Sequence, residues 1–289
     1  MDNLRGAFLM VLAMLGFALE DMFIKLLADT VPIGQILLIL GLGGGTIFAL
    51  IVRAQGDRLI DPNMYSLPIL LRALGELFGV LGFVSAIVWT SLSSASAILQ
   101  ATPLVVTMGA ALFLGETVGW RRWSATLVGL FGVILIIRPG MASFEPLSLL
   151  ALLGVFGLAT RDIATRRVST NLTSMQLSYL GFFATVPAGL GFMAFSPDTY
   201  VSMSGMDWTY LAIALGIGLF AYYAIVAAMR LGDISFVSPF RYVRMIFALI
   251  IGIAIFNEEP DALTLIGAAI IVASGIYTVW RERKLHSMT

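Results

Sequence analysis

Ten apolar runs, each about long enough to cross a bilayer, follow one another along the chain with only short breaks between them. About 20 apolar residues in a helix cover a hydrocarbon core of about 30 Å. Runs of this kind begin near Gly6, Gly34, Leu67, Ala95, Arg122, Pro146, Thr173, Trp208, Ser235 and Ala262. The breaks carry turn and charge signals: "RAQGDRLIDPN", "GETVGWRR", "RPGMASFEP", "SPDTY" and "NEEPD". None is long enough for a soluble domain, so the predicted fold is an all-α integral membrane protein with ten transmembrane helices. The first run is too long and too rich in glycine and methionine for a signal peptide and is read as a retained span.

Composition removes whole classes of chemistry. With 59% apolar and only 12% charged residues, the chain lies outside the range of soluble domains. There is no cysteine, and the single histidine, His286, sits in the C-terminal tail. Disulfides, thiolate metal sites and histidine acid–base catalysis are therefore not expected, nor is any cofactor. The glycine cluster "GLGGGT" has no Walker-type lysine after it and reads as close helix contact. Nucleic acid is not an expected partner; the lipid bilayer is.

Lysine and arginine placement sets the expected orientation. With both termini cytoplasmic, eleven of the seventeen cations fall inside, among them Arg5, Arg53, Arg121, Arg230 and Arg281, and only Lys25 and Arg138 fall outside. Arg72, Arg161, Arg241 and Arg244 remain, all within or bordering spans. A multi-pass protein of the cytoplasmic (inner) membrane is expected.

The chain also repeats itself at a spacing of about 140 residues. Gly16, Ala18, Asp21, Lys25 and Gln35 fall on Gly157, Ala159, Asp162, Arg166 and Gln176; Gly75 and Gly79 fall on Ala214 and Gly218; Glu116 and Gly132 fall on Glu259 and Gly275. Two repeats, 1–140 and 141–289, then hold five spans each. An odd number makes the second enter the bilayer inverted, the architecture of transporters that expose one midplane site to alternate sides.

Several stretches resemble the ten-span EamA branch of the drug/metabolite transporter superfamily: "GFALEDMFIKLLAD", "SSASAILQATPLVVTMGAALFLGE", "ATLVGLFGVILIIRPG" and "FNEEPDALTLIGAAIIVASGIY". The likeness covers nearly the whole length. The ninth run, "VSPFRYVRMIFALIIGIAIFNEEPD", is similar to that of S-adenosylmethionine- and riboflavin-type members and departs from the apolar-Pro-apolar pattern of amino-acid exporters.

Charged groups inside spans are costly, about 2.5–3.5 kcal/mol for a central arginine on the insertion scale, and usually face a bundle interior or wet cavity. A continuous helix at ~1.5 Å per residue places Arg244 ~15 Å deep, where it reads as one wall of the substrate site or as half of a structural ion pair, with Arg241 on the same face but able to reach the inner surface. Glu76, level with Arg244, is the expected counter-ion. Arg72 and Arg241 are then left for an anionic substrate group, which arginine binds bidentately. Tyr242 is a candidate stacking surface, as are the weaker candidates Trp89, Tyr179 and Tyr222; Gln100 is a further polar lining residue, and Pro103 is expected to bend the fourth span. Asp21 with Lys25, and Asp162 with Arg166, read as solvated helix-end pairs. Glu20, Asp21 and Pro103 are also candidates for coupling or gating, with Glu76 and Glu20 the candidate proton carriers, because without a histidine in any span a coupling proton needs a carboxylate.

These residues point to a secondary transporter, not an enzyme, moving a small polar, anionic or zwitterionic metabolite of S-adenosylmethionine or vitamin type. A proton or counter-solute would drive it, and the protein would act as a monomer or homodimer. The alternatives are an amino-acid or organic-acid exporter of the same superfamily and, from another class, an intramembrane enzyme acting on a lipid-linked substrate.

Overall fold

The computed structural model describes residues 2–113, 119–139, 141, 144–165, 167–168, 171–195, 200–231 and 237–286. Among these there is no β-strand. Eleven α-helices follow in order: α1 Asp2–Leu27, α2 Ile33–Ala54, α3 Leu67–Trp89, α4 Leu92–Leu99, α5 Thr102–Phe113, α6 Trp120–Ile137, α7 Leu149–Thr165, α8 Ser174–Phe195, α9 Gly205–Leu231, α10 Val243–Phe256 and α11 Ala262–His286. Short 3-10 turns cover Pro62–Tyr65, Pro146–Ser148 and Ser238–Tyr242.

Seven helical segments are long and apolar enough to cross a membrane: Leu4–Leu27, Ile33–Ala54, Leu67–Trp89, Leu92–Phe113, Pro146–Thr165, Ser174–Phe195 and Gly205–Ile225. The expected fifth and tenth spans coincide with shorter apolar helices, Trp123–Ile137 and Ala262–Tyr277. The ninth coincides with α10, 14 residues long. Glu116, Arg166 and Asp198 lie outside the described residues.

The helices associate in pairs: α1 with α9, α2 with α8, α3 with α7, α6 with α11, and α4 with α10. Small residues make four of these crossings tight. A Cβ on Gly34 would stand 2.8 Å from the Gly189 carbonyl, and one on Gly132 would stand 2.7 Å from that of Gly267. A Cβ on Gly16 would stand 2.8 Å from the Ala221 Cβ, and one on Gly157 would overlap the backbone of Gly79. Lipid offers no hydrophobic drive for helix association, so close backbone approach of this kind supplies the dispersion contacts instead. The "GLGGGT" cluster serves the same end, with Gly41, Gly44 and Gly45 packed on Thr185, Phe182 and Phe183 of α8.

Two glutamines tie loops to the bundle. The Gln35 side chain donates to the Val201 carbonyl and accepts from the Val201 N–H, both at 3.0 Å, and the Gln176 amide donates to the Arg58 carbonyl at 2.7 Å. Both glutamines are buried, and in an apolar interior such an amide must find polar partners.

Two of the expected spans are interrupted. Pro103 lacks an amide hydrogen and sits in the first turn of α5, just after the break at Gln100 and Ala101 that separates it from α4. The second interruption, the 3-10 turn Ser238–Tyr242, precedes α10. The breaks meet: the Gln100 side-chain amide donates to the carbonyls of Arg241 and Tyr242, each at 3.2 Å.

Candidate functional site

Charged side chains from α1, α3, α7 and α10 converge inside the bundle. Arg244 stands in the first turn of α10, where its guanidinium donates to the Asp21 carboxylate of α1 at 2.7 Å. The rings of Phe17 and Phe83 lie 5.3 and 5.1 Å from its central carbon, near enough for cation–π attraction. Glu76 of α3 instead accepts from Arg161 of α7 at 3.2 Å, and Arg161 also holds the adjacent Asp162 at 2.8 Å. The expected Arg244–Glu76 pair is therefore replaced by two separate pairs. The physical reason is the 3-10 turn: it starts the helix only at Val243, so depth counted along one continuous helix misplaces Arg244, and Arg241 lies off the α-helical face that the two were expected to share.

The other corrections concern neighbours four residues apart. Asp21 is only 5% exposed and is not solvated. Lys25 extends from the same helix to the carbonyls of Ile87 and Thr90, at 2.6 and 2.5 Å, where α3 ends. It also lies 3.8 Å from Glu258 and 5.2 Å from the centre of the Phe256 ring. Glu258, from the "NEEPD" loop, accepts the N–H groups of Leu92 and Ser93 at 2.5 and 2.9 Å, capping α4. Charged side chains here serve both helix ends, cation on carbonyls and anion on amides, as the helix dipoles favour.

The remaining candidates divide. Arg72, 4% exposed, donates to the Tyr222 hydroxyl at 3.3 Å, and its Nε finds no partner among the described residues. The same holds for Oε2 of Glu76 and Nε of Arg244. Gly181 of α8 leaves the room in which Arg72 and Glu76 stand, since a Cβ there would come within 3.5 Å of the one and 3.3 Å of the other. The side chains of Arg241 and Glu20 make no hydrogen bond or ion pair among the described residues; Asp162 attracts the Arg241 guanidinium while Arg161 and Arg244 repel it. The Glu20 carboxylate lies against Gly218, where a Cβ would displace it.

Tyr242 is buried with its hydroxyl against Gly275 of α11, which makes it a packing wedge and not the open stacking surface expected. Tyr179 is likewise buried, bonded to the Leu59 carbonyl. Trp89 packs edge-on against Phe192, 6.1 Å between centroids. Gln100 and Pro103 shape the break between α4 and α5. The pair that sequence reasoning placed wrongly, Asp21 with Lys25, had its plausible partner one helical turn away, whereas Arg161 had no acid at that spacing to suggest its role.

Two open cavities flank the Lys25 contact. One, of about 300 Å³, is lined by Asp29, Thr30, Val88, Trp89 and Phe192 among others. The other, of about 350 Å³, is lined by Thr90, Ser91, Ser94, Arg138, Glu258 and Asp261 among others.

Comparison with known proteins gives a consistent result. The EamA-like transporter family matches the chain twice, over residues 4–138 and 146–280. An S-adenosylmethionine uptake transporter of Rickettsia prowazekii is 25% identical over 216 residues, 74% of this chain and 72% of the relative. A riboflavin transporter of Vibrio cholerae is 32% identical over 190 residues, 65% and 63% of the two chains. A pseudopaline exporter of Pseudomonas aeruginosa is 26% identical over 275 residues, 94% of each. A solved crystal structure superposes with a TM-score of 0.62 at 21% identity, covering 98% of both chains, a likeness of fold. With apolar helices of membrane-crossing length and two matches spanning most of its length, the chain belongs to the EamA-like transporter family and is a multi-pass membrane transporter, not an enzyme.

Proposed function

We propose that the protein is a secondary transporter that carries a small zwitterionic or anionic metabolite, of S-adenosylmethionine or vitamin type, across the cytoplasmic membrane by alternating access. One observation carries this reading: the charged centre is balanced in sign but unevenly paired. Four arginines (72, 161, 241 and 244) face four carboxylates (Glu20, Asp21, Glu76 and Asp162). Arg244 and Arg161 take up Asp21, Glu76 and Asp162. Arg72 and Arg241 then remain for an anionic group of the cargo, and Glu20 for a cationic one or for a coupling proton. A counter-solute is the other source of drive. Buried ionisable groups that lack a partner within a membrane bundle mark substrate and ion paths.

Ten spans in two inverted repeats, 1–140 and 141–289, fit the helix pairing. Exchanging the halves turns α1 with α9 into α7 with α3 and leaves the other three pairs in place. The ties made by Gln35 and Gln176 exchange in the same way, each from a second span to a loop of the opposite half. Basic residues place both termini in the cytoplasm, so Lys25 and Glu258 stand at the outer end. A monomer or homodimer suffices for this mechanism.

The test is flux in proteoliposomes under proton and solute gradients, with S-adenosylmethionine, riboflavin, amino acids and organic acids as cargo. At least one zwitterionic or anionic compound moves on this account. Absence of flux for the whole panel under every gradient sinks it.

A further inference from the structure

The Lys25 contact and the Asp21–Arg244 pair are two rungs of one ladder. Asp21 and Lys25 lie four residues apart on α1, one above the other. Opposite them, Arg244 stands in the first turn of α10, Phe256 ends it, and Glu258 follows in the loop beyond. The sign of charge alternates on both sides, so Asp21 has two candidate cations: Arg244, which it holds at 2.7 Å, and Lys25 one turn away, which is engaged elsewhere.

The parts of this ladder differ in freedom. Glu258 is fixed at both ends: its backbone N–H donates to the Gly252 carbonyl at 2.9 Å, after Asn257 in the left-handed conformation (φ 50°), and its carboxylate caps α4. Lys25 is a long side chain held by two carbonyls and a loose ion pair at 3.8 Å. Its release also gives up the Phe256 ring, 5.2 Å from its ammonium. Its contacts close the corner between α3 and α4, and the two cavities lie on either side of that corner.

We infer that Lys25, closing on Ile87, Thr90 and Glu258, is a gating latch that is released when Asp21 exchanges its partner from Arg244 to Lys25. This rests on the proposed carriage of an anionic cargo through the charged centre and extends the cargo's contacts from Arg72 and Arg241 to Arg244. An anionic group arriving at Arg244 competes with Asp21, and the displaced carboxylate draws Lys25 off the α3 carbonyls. Cargo binding at the centre thereby opens the Lys25 end, and loss of cargo re-forms the pair and closes it. The switch rests on a difference in contacts between two states, as any coupled transition must.

Because the chain holds no cysteine, a single Ser93→Cys substitution reports the corner cleanly. Ser93 is 1% exposed, and its hydroxyl has no partner to lose. In purified protein, maleimide reaction of this thiol is expected to be slow with Lys25 present and about tenfold faster after Lys25→Met, within the usual range of coupling between sites. Lys25→Arg should keep it slow. Glu258→Gln should speed it and serves as the second variant where Lys25→Met does not fold. Arg244→Gln, which frees Asp21, should also speed the reaction, and adding Asp21→Asn should slow it again. Unchanged rates in both Lys25→Met and Glu258→Gln overturn the latch. Faster rates there with no change in Arg244→Gln overturn the exchange. No transported molecule enters these measurements, so their failure is separate from failure of the flux test.

Discussion

The charged groups at the Lys25 end and those at the centre of the bundle are treated in opposite ways. At the end, they are used up on backbone. Lys25 closes the last carbonyls of α3, Glu258 the first amides of α4, and Gln35 both polar groups of Val201. At the centre, arginines and carboxylates face one another, and Arg72, Glu76 and Arg244 each keep an atom with no partner among the described residues. A buried group left in that condition costs free energy unless something else compensates. The end is built for closure and the centre for exchange of partners.

The sharpest way to break this contrast is Arg244→Ala. Removing one member of a buried ion pair costs about 3–5 kcal/mol of stability because the other charge stays buried, here Asp21. Transport should fall to background. The double variant Asp21→Asn with Arg244→Gln should recover most of the melting temperature but none of the flux. Recovery of both would reduce the pair to structure.

Glu76→Gln is expected to follow, at about 1.5–3 kcal/mol for a lost bond between charged groups, with slowed transport and a lowered melting temperature. Combining it with Arg161→Gln should cost less than the sum of the two single changes, since the groups share one interaction.

Gly157→Ala probes the apolar frame instead. Its Cβ would overlap the Gly79 backbone, and such overpacking costs about 1–3 kcal/mol. Thermal unfolding in detergent should shift, while ligand affinity per folded molecule holds.

The smallest effect belongs to Asp261, in the loop between α10 and α11. Bonds from the Arg138 side chain and the Thr264 N–H hold its carboxyl below the usual range. Its contribution is present above the ordinary carboxylate pKa and is lost as pH falls through the lowered folded value. The pair is exposed, so Asp261→Asn costs under about 1 kcal/mol. The gap in melting temperature from the parent should narrow between pH 7 and pH 3.

The frame was legible in the sequence because it rests on local and periodic signals. Apolar runs gave helices, and glycines such as Gly16, Gly79 and Gly157 marked where backbones touch. The presence of charge in the bundle was equally plain from Arg72, Arg241 and Arg244. Partner choice was not legible. Asp21 has a cation four residues on in sequence but pairs with one 223 residues away, and Glu76 pairs with Arg161 across 85 residues. Spacing along a helix favours the local partner, and only tertiary contact between α1 and α10, or α3 and α7, reverses it. The 3-10 turn at Ser238–Tyr242 had a proline to announce it, at Pro239, but its consequence for the depth of Arg244 depends on where the helix resumes.

Arg241 offers the most direct test of the central claim, because among the described residues its side chain has no hydrogen-bond or ion-pair partner to lose. Thermal-shift titration of the parent and Arg241→Gln against S-adenosylmethionine, riboflavin and a panel of organic acids separates binding from folding. The account predicts equal melting temperatures without ligand, a ligand-induced rise in the parent, and loss of that rise in Arg241→Gln. An equal rise in both proteins would contradict it.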